Sequence, residues 1–113
     1  MVAEKESPDR GDLVWVSLNP QAGHEQAGRR PALVVSPAEY NRRVGLALMC
    51  PITSKEKGYP FEVSLPDNLK ISGVVLSDQV KSLDWRAREA QIADVAPEAT
   101  TTEVLGKLNA LLS

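Results

Sequence analysis

The sequence predicts a mainly β protein, a small barrel of about six or seven mostly antiparallel strands with one short helix and a C-terminal amphipathic helix. Three observations support this fold class. The chain has 113 residues, which suits one compact domain. Short β-rich segments recur every 8–15 residues, with Gly and Pro between them. Little helical periodicity separates these segments, which disfavours a parallel α/β sheet.

The first strand is predicted over residues 12–18, where Val14, Val16 and Leu18 alternate with other side chains. Residues 19–30 follow as a polar stretch without helical or strand period. A connection of this length in a compact domain is typically functional or disordered, so it is the first place to look for function. Residues 32–35 form a continuous β-rich run that predicts a central strand.

A short helix is predicted after this strand. Ser36 is expected to cap it, with Pro37 at its first position, and the helix continues to about Arg43. Gly45 is expected to stop it.

The remaining strands are predicted from apolar runs or alternation between turn residues. They cover residues 46–52, 61–65, 71–76, 79–85 and 90–95. Pro51 suggests that the first of these lies at a sheet edge or carries a bulge, because proline cannot donate a backbone hydrogen bond. Thr53 follows directly at its end.

Pro97 is expected to open the C-terminal helix, and its apolar face is expected to comprise Val104, Leu108, Leu111 and Leu112. Residues 1–10 are polar and aperiodic, which predicts a flexible leader. Residues 11–113 are then expected to form a single domain.

The charge distribution is uneven. The formal net charge of −2 argues against a protein that binds nucleic acid through bulk charge. Residues 29–88, however, hold ten basic against six acidic side chains, a net +4, and the segments on either side each carry −3. The middle of the chain therefore suits local contacts to an anionic partner.

Several classes of site are excluded by residue counts. Cys50 is the only cysteine, so an intramolecular disulfide and a cysteine zinc cluster are excluded. His24 is the only histidine, which excludes a metalloprotease-type HExxH site. The acidic N-terminal segment has no apolar h-region and no run spans a membrane, so we expect a soluble, cytoplasmic protein with no membrane partner.

Three polar features are candidates for chemistry. Glu25 lies near the Arg29–Arg30 pair, Thr53 follows a strand, and further cations come from Lys55, Lys57, Lys81, Arg86 and Arg88. A carboxylate, an arginine and a hydroxyl suit phosphoryl transfer, and RNA supplies its own nucleophile, the 2′-OH. Each residue also has an ordinary interpretation: a solvated charge for Glu25, an ion pair for Arg30 and β-propensity for Thr53.

The two tryptophans are interpreted first as core residues, with Trp85, among basic side chains, the better candidate for stacking on a base. Composition and periodicity alone leave the function undecided.

Five blocks of the sequence resemble the MazF/PemK family of toxin–antitoxin endoribonucleases. They are GDLVWVSLNP (11–20), GHEQAGRRPALVVSP (23–37), MCPIT (49–53), KGYPFEV (57–63) and GVVLSDQVKSLDWRAR (73–88). The resemblance implies an SH3-like barrel of the CcdB/PemK type, a homodimer, and cleavage of single-stranded RNA at short motifs without a metal or other cofactor. The products would be a 2′,3′-cyclic phosphate and a 5′-hydroxyl.

The same resemblance implies roles for individual residues. Arg30 is expected to stabilise the phosphorane and protonate the leaving oxygen, Thr53 to bind the phosphate, and Glu25 to act as the base or to order Arg30. The residues expected to bind RNA are His24, Gln26, Arg29, Lys55, Lys57, Gln79, Lys81 and Arg86. His24 and Arg29 depart from the pattern of the family, and the family gives no reason to regard His24 as essential.

The expected partners are a second copy of the chain, the RNA substrate and a cognate antitoxin with an acidic extended tail that competes for the same cations. The C-terminal helix face is the first surface to consider for dimerisation. Two alternatives from other classes are a non-enzymatic gyrase poison like CcdB and a barrel that only binds.

Overall fold

The computed structural model describes residues 7–17 and 28–113 of the chain. Seven strands form one sheet in this part of the chain, and two α-helices pack against it. The strands are β1 (Asp12–Ser17), β2 (Arg29–Val34), β3 (Ala47–Thr53), β4 (Glu62–Ser64), β5 (Val74–Leu76), β6 (Lys81–Leu83) and β7 (Gln91–Val95). The helices are α1 (Ala38–Val44) and α2 (Glu98–Leu112), and a single 3₁₀ turn covers Ser77–Gln79.

All strand pairs are antiparallel, and the order across the sheet is β4-β5-β3-β2-β1-β7, with β6 also paired to β3. The predicted mainly β, antiparallel fold is therefore confirmed. The described strands do not close into a complete barrel, since β4 and β7 end the sheet without pairing to each other.

Strand β3 is the centre of the sheet and changes its partner along its length. Residues 47–49 pair with β6, and Ile52 and Thr53 pair with β5. On its other side, residues 49–51 pair with β2. Pro51 is therefore inside a central strand rather than at an edge, and it lies in the interval between the β6 and β5 pairings. Its missing N–H is tolerated there because only one neighbouring strand pairs at that position.

The central strands β1, β2 and β3 are buried on both faces, which explains the continuous apolar runs of β2 and β3. One core cluster, beneath α2, includes Leu13, Leu33 and Val104. The other cluster, on the opposite face of β1 and β2, contains Val14, Val16, Ala32, Val34, Ala47, Met49, Leu83 and Trp85. The indole N–H of Trp85 donates to the carbonyl of Asn41 at 2.9 Å, so this tryptophan belongs to the core.

Four residues of the expected leader, 7 to 10, pack against the domain. Ser7 and Pro8 are buried. The side-chain amide of Asn41 donates to the carbonyl of Pro8 at 2.8 Å, and Nε of Arg10 donates to the carbonyl of Val35 at 2.9 Å. These bonds tie the segment to α1 and to the end of β2.

The short helix begins one residue later than predicted, and its cap is different. Pro37 is the N-cap and provides no side-chain acceptor. The carboxylate of Asp9 accepts the N–H of Ala38 at 2.9 Å, while the hydroxyl of Ser36 donates to Asn41 at 2.5 Å. The expectation that Ser36 caps the helix is therefore wrong, because its hydroxyl is used inside the core. Gly45 ends the helix with φ 81°, as predicted.

Helix α2 follows Pro97 as expected. Val104 is fully buried and Leu108 packs on the first core cluster. The last turn differs from the expectation, since Leu111 is 46% and Leu112 76% exposed. This turn carries two apolar side chains that the described part of the chain does not cover. No helix among the described residues has both the length and the apolar character needed to cross a membrane.

Cys50 is fully buried in the middle of β3. Burial, with a smaller contribution from the charge of Asp78, raises the pKa of its thiol from 9.0 to about 12. Since only the thiolate reacts readily with disulfide reagents, we expect very slow labelling of the native protein at mildly alkaline pH and complete labelling in urea. Equal labelling rates in the two states would contradict this placement.

The same shift affects stability. The folded pKa lies above the unfolded value, so the neutral thiol is favoured in the folded state. The stabilisation that the neutral thiol gives to the folded state should therefore be lost as the pH rises from 9.0 to about 12. Cys50→Ala should remove that part of the pH dependence.

Candidate functional site

An open groove forms where β2 and β3 separate. Their last paired residues are Ala32 and Pro51, and beyond this point β3 pairs only with β5, on its other side. Pro31 and Pro51 both line the groove at this point. The N–H of Val35 donates to the carbonyl of Leu48, and in the alternation that this bond sets, Pro31 faces β3 whereas Pro51 faces away from β2. Because proline cannot donate a backbone hydrogen bond, Pro31 favours the end of this ladder and the opening of a space between the strands.

We call this space the cationic groove. It has a volume of about 780 Å³. Its described lining residues are Trp15, Arg29, Arg30, Pro31, Pro51, Ile52, Thr53, Ser54, Lys55, Lys70, Ile71, Ser72, Leu76, Gln79 and Lys81. Five of these carry positive charge and none is acidic. The groove therefore collects the positive charge of the middle segment in one place, as binding of an extended polyanion requires.

Arg30 and Thr53 lie on the two walls of the groove. Continuing the register of Ala32 with Pro51 by two residues places Arg30 opposite Thr53. The exposed Arg30 side chain has no hydrogen bond or ion pair with a described residue. The Oγ1 atom of Thr53 accepts the N–H of Lys55 at 3.1 Å, which leaves its hydroxyl proton free to donate. Two hydrogen-bond donors are thus available to one ligand group.

Arg29, the neighbour of Arg30, is held by the protein. Its guanidinium donates to the carbonyl of Glu89 at 3.0 Å and to Oε1 of Gln91 at 3.1 Å, and lies 3.4 Å from the carbonyl of Trp15. Arg29 therefore joins β2 to the β7 side of the sheet while its charge still lines the groove. The two adjacent arginines therefore differ in their partners, although both line the groove.

Gly73 supports the Thr53 wall from behind. Its φ is +126°, and a Cβ atom at this position would lie 2.3 Å from the carbonyl oxygen of Thr53. A side chain therefore does not fit here without moving the end of β3.

The other residues predicted to bind RNA fall into three groups. Lys55, Gln79 and Lys81 line the cationic groove, and Lys57 lines a depression that continues from it. Arg86 is not brought to the groove, because its guanidinium stacks 4.3 Å from the centre of the Trp85 ring. The predictions for His24, Glu25 and Gln26 lie outside the described residues.

Two groove residues were missed by sequence reasoning. Lys70 lines the groove, and only its place in the basic segment pointed to it. Its backbone N–H donates to Asp94 at 2.9 Å, and this bond, with one from Val95, lowers the pKa of the exposed Asp94 carboxyl. Trp15 is 36% exposed in the groove and Trp85 is 4% exposed, so Trp15 is the tryptophan available for stacking, contrary to expectation.

The fold and the groove together define a small antiparallel β protein with a groove suited to an extended anionic polymer. The family model that describes PemK-like, MazF-like toxins of type II toxin–antitoxin systems matches residues 9–112, and the chain belongs to this family.

Individual relatives and solved structures agree with this assignment. The endoribonuclease toxin MazF of Escherichia coli (strain K12) is 50% identical over 106 residues, which cover 93% of this chain and 94% of that protein. The endoribonuclease PemK of Escherichia coli is 39% identical over 117 residues, covering 100% and 88%.

A crystal structure of MazF from Deinococcus radiodurans superimposes with a TM-score of 0.85 at 58% identity, covering 96% of this chain and 98% of that one. A crystal structure of MazE–MazF from the same organism gives a TM-score of 0.87 at 51% identity, with the same coverage.

Proposed function

We propose that this chain is an endoribonuclease toxin that cleaves single-stranded RNA at short sequence motifs. The observation that carries the proposal is that Arg30 and Thr53 line one groove, which has five cations and, among its described lining, no acid. The names of the relatives support the same activity: those from Escherichia coli are endoribonucleases. Cleavage of messenger RNA would block translation and arrest growth.

The proposed reaction uses the ribose 2′-OH as the nucleophile. The 2′-oxygen forms a bond to phosphorus, the bond from phosphorus to the 5′-oxygen breaks, and a 2′,3′-cyclic phosphate and a 5′-hydroxyl result. One proton leaves the 2′-OH and one joins the 5′-oxygen. The Arg30 guanidinium and the Thr53 hydroxyl donate to the non-bridging oxygens as negative charge develops there. No step requires a metal ion or cofactor.

The base comes from outside the described lining of the groove, which includes neither a carboxylate nor a histidine. Residues 18–27 join β1 to β2, and the strand ends Ser17 and Arg29 are paired with each other. Glu25 is the only acidic residue in this connection and His24 its only histidine. We assign Glu25 as the base. A guanidinium holds its proton tightly, so Arg30 acts through its charge better than as a proton donor.

The proposed partners follow from the same groove. An acidic, extended antitoxin segment would compete with RNA for its cations. The solved MazE–MazF structures of Deinococcus radiodurans, similar along 96% of this chain, are consistent with such a partner.

We further propose a homodimer that uses the exposed Leu111 and Leu112. We propose that it acts in the cytoplasm, where messenger RNA is translated. A monomer in light scattering at micromolar concentration would contradict the dimer.

The test is an incubation of the purified chain with a long single-stranded RNA in EDTA, followed by mapping of both ends at each cut. We expect cuts at a short recurring motif, with 5′-hydroxyl and 2′,3′-cyclic phosphate ends, and no cutting of the same sequence as a duplex. Intact RNA together with inhibition of gyrase would instead identify a CcdB-like poison.

A further inference from the structure

A depression opens from the cationic groove beside Thr53. It has a volume of about 240 Å³ and its described lining is Thr53, Lys55, Lys57, Tyr59, Phe61, Glu62, Leu76, Asp78 and Gln79. Thr53, Lys55, Leu76 and Gln79 line both spaces. An RNA strand whose phosphate lies at Thr53 therefore passes the mouth of this depression, which we call the Tyr59 pocket.

The Tyr59 pocket differs chemically from the groove. It has two aromatic side chains, Tyr59, which is 59% exposed, and the half-buried Phe61. It also has two carboxylates, Glu62 and Asp78, which balance the charges of Lys55 and Lys57, whereas the described lining of the groove has five cations and no acid. Carboxylates repel phosphate, and aromatic faces favour a flat, uncharged ring. The pocket is therefore suited to a base rather than to the RNA backbone.

The wall that carries Tyr59 is held in place by hydrogen bonds. The Glu62 carboxylate accepts the N–H of Gly58 at 2.9 Å and that of Lys57 at 3.1 Å. The backbone N–H of Glu62 donates to the carbonyl of Tyr59 at 3.1 Å. From α2, Nζ of Lys107 donates to the carbonyl of Pro60 at 2.7 Å. These bonds organise the wall before any ligand binds and occupy the Glu62 carboxylate.

The carboxylate of Asp78 differs from that of Glu62 in its contacts. It lies in the 3₁₀ turn, is exposed, and its side chain makes no hydrogen bond or ion pair with a described residue. A carboxylate only accepts hydrogen bonds, and the exocyclic amines of adenine, cytosine and guanine are the matching donors on bases. Uracil has carbonyl oxygens at these positions, which the carboxylate repels, and its one N–H on this edge lies between the two oxygens.

We propose that the Tyr59 pocket is a subsite for one base of the RNA, in which Tyr59 stacks on the base and Asp78 selects bases with an exocyclic amine against uracil. This inference rests on the proposed endoribonuclease function. It adds a specificity-determining residue, Asp78, that acts beside the reacting phosphate without taking part in the chemistry.

The experiment measures sequence preference in two ways, with wild type, Asp78→Asn and the control Asp67→Asn. Asp67 is exposed and lines neither the groove nor the pocket. In the first arm, a randomised RNA is cleaved and the cut sites are sequenced. In the second, a randomised RNA segment with 2′-O-methyl groups is bound and the bound fraction is sequenced. The methyl group removes the nucleophile, so this arm reports binding alone.

For wild type we expect one position near the scissile phosphate at which uracil is depleted about tenfold or more. Asp78→Asn should abolish the depletion at that position only, because the amide can donate to a uracil carbonyl. The Asp67→Asn control should keep it. An unchanged preference in Asp78→Asn, or the same change in Asp67→Asn, would overturn the proposal. Absence of cleavage with the expected binding preference would refute the nuclease function but not the pocket.

Stacking is tested with Tyr59→Leu and Tyr59→Phe. Leucine should weaken binding of the 2′-O-methyl RNA about fivefold or more, and phenylalanine should preserve the affinity because it keeps the aromatic face. Equal affinities of the leucine variant and wild type would contradict stacking on Tyr59. Thermal unfolding of each variant verifies that the fold is retained.

Discussion

Arg30→Ala should lower the rate of RNA cleavage by about 100-fold or more, with a much smaller loss of RNA affinity. The reason is the position of Arg30 at the wall of the cationic groove, where its guanidinium is exposed and unbonded to any described residue. Charge builds up on the phosphate oxygens as the 2′-oxygen attacks, so a donor aimed there stabilises the transition state more than bound RNA. Single-turnover cleavage and binding of a 2′-O-methyl RNA separate the two effects.

The matched control is Arg42→Ala. Arg42 is also exposed but lies on α1 and does not line the groove, so its removal changes the net charge equally. We expect its cleavage rate to stay within about twofold of wild type. Arg30→Lys should recover part of the rate, since lysine restores the charge without the planar pair of donors. Equal rates for Arg30→Ala and Arg42→Ala would refute the assigned role.

Gly73→Ala should destabilise the fold by roughly 2 kcal/mol or more. The added Cβ would lie 2.3 Å from the carbonyl oxygen and 2.9 Å from the carbonyl carbon of Thr53, at a φ of +126°. The obstacle is backbone, which cannot move aside as a side chain can. Relief requires β3 to shift where it pairs with β5, so Thr53 should be displaced and cleavage reduced as well.

Two other glycines serve as controls in the same urea-unfolding measurements. Gly45 has a φ of +81° but nothing within 4 Å of a Cβ, so Gly45→Ala reports strain alone, about 1 kcal/mol. Gly106 lies within α2 with open space around a Cβ, and Gly106→Ala should stabilise by up to about 1 kcal/mol. A Gly73 variant no less stable than the Gly45 variant would show that the end of β3 accommodates the side chain.

Much of the fold could be predicted because local signals agree with the tertiary structure. Alternating apolar residues identified β1 and β4, and Gly45 and Pro97 marked a helix end and a helix start. Errors occurred where a distant residue replaced the local partner. Ser36 has the sequence of a cap, yet Asp9 supplies the acceptor from 29 residues away. Local sequence does not reveal such an exchange.

In the candidate site, too, the sequence indicates which residues take part but not how distant residues place them. Residue types and the family resemblance pointed to Arg30 and Thr53, but their approach depends on the register of β2 with β3. Trp85 is a core residue as first interpreted, but the ranking of the two tryptophans as stacking candidates was wrong, because the Asn41 carbonyl of α1 binds Trp85 in the core. The basic residues near Trp85 in the sequence do not indicate whether its ring is buried.

Pro31, at the junction of β2 and β3, has a consequence for regulation. Because Pro31 lacks the N–H that would donate to β3 at the next step of the ladder, the two walls lack a hydrogen bond that would favour their closure in the absence of RNA. The strand ladder therefore does not favour a closed groove. For a toxin of this kind, inhibition by an occupant of the groove is then expected rather than inhibition by closure of its walls.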